Sequence, residues 1–329
     1  MTQILSQLAL FSLTFTISFI LFYSDCKCFL LANRGYSPIN MLVDFFKLNN
    51  QPSLMDQNAF LIHFQTGDSL LNVQYNSPEL NPGNGKYKFR SMSFTNVSFS
   101  KTLIKNVIFT ECAFTDCLFI GTSFDDCEFH DCVFKGCNPY KVKFTNTYID
   151  PNAFKNLLDR KKYSNIGVHL FHELLENSVS TKQPEFTHIA EYYFRKWKRF
   201  QLDYEYKTHK LSRFNYHRKR IPDLLYDVLA GYGLLPSHFL GFSVILFLIL
   251  MIFNYLLWSS FKLLDSNLEQ VAPNFIKSFY YTINIISTSG YVNITPSSAC
   301  GMIIAGVESL LGILWLSILA SIIIKRVVK

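Results

Sequence analysis

The chain has 329 residues, of which 49% are hydrophobic and 16% aromatic, with 32 Phe and a formal net charge of +7. That length holds two or three units that each bury a core, and the apolar content suits a chain partly embedded in a membrane and partly packed around aromatic ladders. The positive excess is local: Lys155 to Arg220 holds 15 Lys/Arg against 7 Asp/Glu. Because this block runs straight into an apolar span, it points to an anionic membrane face and away from nucleic acid.

Residues 1–24 contain no charged side chain, but Ser6, Gln7, Ser12, Thr14, Thr16 and Ser18 dilute the apolar run and no basic residue precedes it. A cleaved signal peptide is one reading. It would export the following domain, so an N-terminal membrane anchor, with Lys27 and Arg34 on the inner side, is the preferred one. Residues 25–88 are mixed in pattern and read as a poorly defined cytoplasmic segment, with Pro82-Gly83-Asn84-Gly85 marking a turn.

From Phe89 a large apolar residue stands at every fifth position: Phe89, Phe94, Phe99, Ile104, Phe109, Phe114, Phe119, Phe124, Phe129 and Phe134. After an interruption at Pro139 the series resumes with Phe144 and Ile149. Two residues ahead of these positions lie small or β-branched residues, among them Val97, Thr102, Val107, Cys112, Cys117, Thr122, Cys127, Cys132, Cys137, Val142 and Thr147. Neither a 3.6 nor a 2.0 period produces such spacing. A square coil with five residues per face does, if one large and one small side chain per face point inward. The five cysteines of the series are then small buried fillers, matching no zinc spacing and requiring no oxidising compartment.

The segment 89–150 resembles the pentapeptide-repeat family. The resemblance implies a right-handed quadrilateral parallel β-helix whose coils stack every 20 residues. Some members of that family carry an acidic, DNA-like surface. Here Arg90 to Asp150 holds six Lys/Arg and seven Asp/Glu, so the expectation is a rigid interaction or assembly module with an unidentified protein partner or ligand.

Residues 151–236 read as a basic helical connector. Phe154, Leu157 and Leu158 are expected to begin one helix, and Ile189 to Phe200 lie in another. His169, His172 and Glu173 have helical spacing but complete no metal motif, and are expected to be surface or packing residues. Ile221 to Leu229, with Pro222 in a first turn and a Gly231-Tyr232-Gly233 break behind it, suggests an interfacial helix lying on the membrane.

Two apolar runs follow, His238 to Trp258 and Met302 to Ile324, each long enough to cross a hydrocarbon core of about 30 Å. Basic residues stand before the first (His217-Arg218-Lys219-Arg220) and behind the second (Lys325-Arg326, Lys329), which places both ends in the cytoplasm. Between the runs, Pro273 to Ser287 is apolar but too short to span. Then comes Thr288-Ser289-Gly290-Tyr291-Val292-Asn293-Ile294-Thr295-Pro296.

This loop resembles the potassium-channel pore loop, whose filter reads T-V-G-Y-G-D with a proline behind it; Thr288, Gly290, Tyr291 and Pro296 match. The resemblance covers about residues 236–326. It implies an all-α two-helix channel pore (237–329) with a re-entrant loop, four subunits around one axis, and a selectivity filter built from Thr288, Ser289, Gly290, Tyr291, Val292 and Asn293. Potassium or another monovalent cation would be the permeant ion, coordinated by filter carbonyls. Gly312 falls where that family places its gating hinge. Val292 replaces a filter glycine and Asn293 an aspartate, which puts strict potassium selectivity in question.

Glu308 is an ionisable group within a span. It either faces the ion cavity or packs behind the pore helix against a Thr or Tyr hydroxyl. No nucleophile–base pairing, phosphate-binding loop, metal motif or ladder of spaced arginines stands in the chain, so no catalytic residue, metal, cofactor or voltage sensor is expected. The reading is therefore a multi-pass membrane protein of the plasma or inner membrane, in contact with lipid, assembled as a homotetramer, with its β-helix in the cytoplasm. The alternative is a membrane-anchored pentapeptide-repeat adaptor with a poorly selective or non-conducting pore.

Overall fold

The computed structural model describes residues 45–66, 69–83, 85–234, 236–263, 273–287 and 294–327. The expected anchor at 1–24 lies outside them. The chain forms two compact units, Gly35–Asp223 and a second that includes Leu224–Lys329.

The first unit is a parallel β-solenoid of about four turns. Its strands are β1 (Ser53–Met55), β2 (Ser69–Tyr75), β3 (Glu79–Leu80), β4 (Tyr87–Arg90), β5 (Ser93–Ser98), β6 (Leu103–Lys105), β7 (Val107–Thr110), β8 (Ala113–Thr115), β9 (Ser123–Asp125), β10 (Glu128–His130), β11 (Val133–Lys135) and β12 (Lys143–Thr145). They stack into three parallel sheets ordered β1-β2-β5-β8-β11, β10-β7-β4 and β12-β9-β6-β3, while a fourth face is joined by the bridges Ser98↔Leu118 and Leu118↔Asn138. The register is the 20-residue repeat itself: Phe94 pairs with Phe114 and Phe114 with Phe134.

The large residues form internal ladders. Phe94, Phe114 and Phe134 stack at 4.8 and 5.0 Å, and Phe89, Phe109 and Phe129 at 5.4 and 4.9 Å. Each stacked pair adds roughly 0.5–1.5 kcal/mol beyond the area it buries. The small residues also do more than fill space. Cys117 Sγ donates to the Phe94 carbonyl at 3.3 Å and Thr122 Oγ1 to that of Phe99 at 2.7 Å, and Cys112, Cys127, Cys132, Cys137 and Thr147 repeat the bond 23 residues back.

Every face turns through a left-handed residue: Ser91, Asn96, Lys101, Asn106, Glu111, Asp116, Gly121, Asp126, Asp131, Gly136, Lys141 and Asn146 all have positive φ. Asn, Asp and Gly, which tolerate this conformation best, supply eight of these positions. Pro139 does not interrupt the coil. Its equivalents Phe99 and Phe119 donate their N–H to Leu118 and Asn138 of the next coil. Pro139 lies on the last coil, where its missing N–H has no such ladder partner to lose.

The solenoid also begins before residue 89. β2 pairs with β5, setting Leu70 beneath Phe94 and Val73 beneath Val97, and β3 sets Leu80 beneath Ile104. The expected ill-defined segment 25–88 therefore contains a coil. It also contains a cap: on α1 (Gln57–Thr66) Phe60 is fully buried, with its ring edge-on to Tyr75, Phe89 and Phe99.

The helix expected to start at Phe154 is corrected. Pro151–Phe154 is a single 3-10 turn that lays Phe154 against Phe134 at 4.5 Å, and α2 begins only at Ser164 (Ser164–Ser180). The apolar cluster there serves the open end of the solenoid, so burial and not helical periodicity decides its shape. Asn177 of α2 completes the cap, accepting from Thr147 N at 3.0 Å and donating to Thr147 O at 2.7 Å, which closes a sheet edge. His169 and His172 pair with Glu173 and Glu176 at 3.9 and 3.6 Å on the helix surface.

Helix α3 (Pro184–Lys207) packs along α2, and α4 (Arg213–Ala230) is clamped to α3. Asp203 accepts from Arg220 at 2.7 Å and from Tyr216 at 2.9 Å, and Arg199 pairs with Asp223 at 3.6 Å. The expected start of this helix at Ile221 is corrected too: it begins at Arg213 and carries Pro222 inside. Pro222 is exposed, so the backbone carbonyl it leaves unbonded has access to solvent.

In the second unit two helices are long and apolar enough to cross a membrane: α5 (Pro236–Leu256) and α7 (Ala299–Val327). Between them lies α6 (Asn274–Ile286). Strands β13 (Phe261–Leu263) and β14 (Ile294–Pro296) pair antiparallel. The stacked rings of Phe239 and Trp315, 4.2 Å apart, join α5 to α7.

Candidate pore

Helix α6 has 13 residues, about 20 Å of axial length, too short to cross a bilayer and right for a helix that enters and returns. One face is buried against α5 and α7 through Lys277, Ser278, Tyr281, Thr282 and Ile285. The opposite face is apolar and exposed in the single chain, with Phe275, Ile276, Phe279, Tyr280 and Ile283 each between 43% and 55% accessible. This inverts the usual amphipathic arrangement of a soluble domain. It is what a helix shows when its outer face meets apolar surroundings.

The expected filter residues Thr288, Ser289, Gly290, Tyr291, Val292 and Asn293 lie outside the described residues. The two ends that flank them are fixed. On one side Ser287 closes α6, its N–H donating to the Ile283 carbonyl at 2.9 Å. The helix's negative dipole end thus precedes Thr288 directly. On the other side β14 is tied to β13, and Ser297 N donates to Ser260 O at 2.9 Å.

Glu308 is 2% exposed and sits between the three helices. Its Oε2 accepts from Asn254 Nδ2 of α5 at 3.2 Å, and the same amide nitrogen donates to Thr282 Oγ1 of α6 at 3.0 Å. Thr282 Oγ1 in turn donates to Ser278 O at 2.7 Å. Sequence reading singled out Glu308 but passed over Asn254. The signal was there: an amide within an otherwise apolar span is costly unless it is partnered.

Gly312 lies one helical turn beyond Glu308, against the end of α6. A Cβ there would stand 2.5 Å from the Ile286 carbonyl oxygen and 3.0 Å from the Ile286 Cα, whereas one at Gly306 would meet nothing within 4 Å. Helix α7 is continuous through Gly312. A cavity of about 200 Å³ lies beside this contact, lined by Phe247, Leu250, Ile286, Leu311, Gly312 and Trp315 among others.

Residues 240–329 match the ion channel family. No curated protein matches the chain. A short helix between two that are long and apolar enough to span accords with that match, and the chain as a whole fits a parallel β-helix fused to a two-helix ion-channel domain.

Proposed function

We propose that the chain is one subunit of a tetrameric cation channel that conducts potassium through a filter formed by Thr288, Ser289, Gly290, Tyr291, Val292 and Asn293. The observation that carries this reading is α6: a helix too short to span, flanked by two that are long enough, and followed at once by Thr288 and Gly290-Tyr291. Four subunits account for the exposed apolar face of α6, which in a tetramer packs against neighbouring chains instead of water. Permeant monovalent cations are the only ligand the pore requires.

The solenoid is proposed to lie in the cytoplasm, where it binds a partner or ligand and biases gating through α4. Exposed Arg213, Arg218, Lys219 and Phe214 on α4 suit contact with anionic lipid headgroups. Gly312 is proposed as the hinge of α7, with its contact to Ile286 marking one of the two positions.

A second reading follows from two residues. Val292 is β-branched where the resemblance expects glycine, and Asn293 withdraws a negative charge from the mouth of each subunit. Both favour a filter with fewer ordered carbonyl sites and weaker discrimination. Reversal potentials with potassium on one side of a bilayer and sodium on the other decide between the readings. A large displacement toward the potassium equilibrium potential supports the first, a potential near zero supports the second, and assembled protein without current supports the adaptor alternative.

A further inference from the structure

We infer that Asn254, Thr282 and Glu308 form a polar node that sets the axial and rotational position of the pore helix, and through it the geometry of the filter; the inference rests on the channel reading above. Asn254 and Thr282 are fully buried and Glu308 is 2% exposed. Each comes from a different one of the three helices around the pore. Apolar side chains in a bilayer slide past one another at little cost, because lipid tails are as apolar as they are. Hydrogen bonds of fixed direction do not permit this.

The direction is fixed by the donors available. The Thr282 hydroxyl hydrogen is committed to Ser278 O, so Thr282 Oγ1 can only accept from Asn254. The other Asn254 N–H is then directed to Glu308 Oε2. Rotating the amide by half a turn would set its oxygen against two acceptors. One asparagine thus measures the spacing of three helices. A shift of α6 by one residue, about 1.5 Å along its axis, would break the Asn254–Thr282 bond and leave Asn254 tied to Glu308 alone. Among the described residues, Asn254 Oδ1, Glu308 Oε1 and the Tyr281 hydroxyl are buried without a hydrogen-bond partner, so the node rests on the two bonds that Asn254 donates. Thr282 lies four residues before the end of α6 and six before Thr288 in sequence, so displacement of α6 is passed along the chain to the first residue of the proposed filter. These are positioning residues; none is assigned contact with the ion.

The test uses the full chain in lipid nanodiscs and liposomes, with Asn254→Leu, Glu308→Gln and the double variant Asn254→Leu/Glu308→Leu. The double variant leaves no buried polar atom at either position, so it assembles while losing the node. Two readouts are taken: amide hydrogen exchange across 274–286, and the potassium-to-sodium permeability ratio of assembled protein. The double variant is expected to exchange about five- to tenfold faster across the pore helix and to show an altered permeability ratio at unchanged assembly. Glu308→Gln keeps an amide oxygen that accepts from Asn254, and is expected to match the parent in both. Unchanged exchange in the double variant overturns the inference, whether or not the protein conducts. Glu308→Gln behaving as the double variant also overturns it, since charge and not the bond would then be responsible. A parent protein that conducts no ions, with exchange responding as expected, would count against the filter reading and leave the node standing.

Discussion

Replacing Gly312 by Ala places a methyl group where the backbone of the pore helix already stands. The new Cβ would lie 2.5 Å from the Ile286 oxygen, and ordinary contact begins at 3.4 Å, so the end of α6 must retreat by about 0.9 Å. Two terms oppose each other. Alanine gains roughly 0.5–1 kcal/mol over glycine within a helix. Overpacking against backbone costs roughly 1–3 kcal/mol. At Gly306 only the first term applies within the chain, because nothing lies within 4 Å of the added Cβ. Gly306→Ala is therefore expected to leave assembly unchanged or slightly firmer, and Gly312→Ala to weaken it by about 1–2 kcal/mol. The cavity beside Ile286 and Gly312 gives the displaced segment room, so much of the effect should fall on the filter and not on folding. The assay is thermal dissociation of the assembled protein alongside ion flux for both variants. Gly312→Ala melting at or above Gly306→Ala with the parent's flux would refute the assignment of a close contact there.

Two further outcomes concern the solenoid. Phe114 is 1% exposed and stacked between Phe94 and Phe134, so Phe114→Ala should destabilise the first unit by roughly 3–5 kcal/mol in denaturant unfolding, and a loss below about 1 kcal/mol would contradict the ladder. Lys86 and His130 both bond Glu128, and the Lys86 hydrogen bond, then that of His130, holds its carboxyl below the ordinary 4.5. A lowered folded value means the stabilisation is complete above 4.5 and disappears as pH falls through the folded value. Glu128→Gln should therefore cost a surface pair's ~0.2–1 kcal/mol near pH 7, a cost that shrinks as pH falls through the lowered folded value, and a cost that stays constant as the carboxyl protonates would contradict the pairing.

The solenoid was legible where the chemistry repeats without interruption. Its step of five could be read from Phe89 onward because each face needs one large inward residue. The first coil was hidden by a phase change. Leu70, Tyr75 and Leu80 keep the step of five and are all buried, but the turn around Gly83 and Gly85 makes the step from Leu80 to Phe89 nine, so the two series do not share a phase. The left-handed corners repeat every five residues as well, and their excess of Asn, Asp and Gly was a signal independent of the large residues.

In the connector, local pattern misled. Phe154, Leu157 and Leu158 have helical spacing, yet the exposed end of a β-solenoid demands apolar cover, and that demand sets their conformation. Pro222 reads as the start of a helix, but the Asp203–Arg220 and Arg199–Asp223 pairs reward an earlier beginning that sequence spacing does not reveal. In the pore, the spans, the short helix and Glu308 were readable because ionisable groups and length limits stand out against lipid. Asn254 stands out as an amide within an apolar span, but which groups it bonds emerges only when three helices meet.

The most direct test of the central claim is cation flux through purified full-length protein in liposomes, measured beside a Gly290→Ala variant. In the proposed filter a glycine at that position would let carbonyls line an ion path, so flux is predicted in the parent and its loss in the variant at equal assembly. Equal flux from both proteins, or none from an assembled parent, would contradict it.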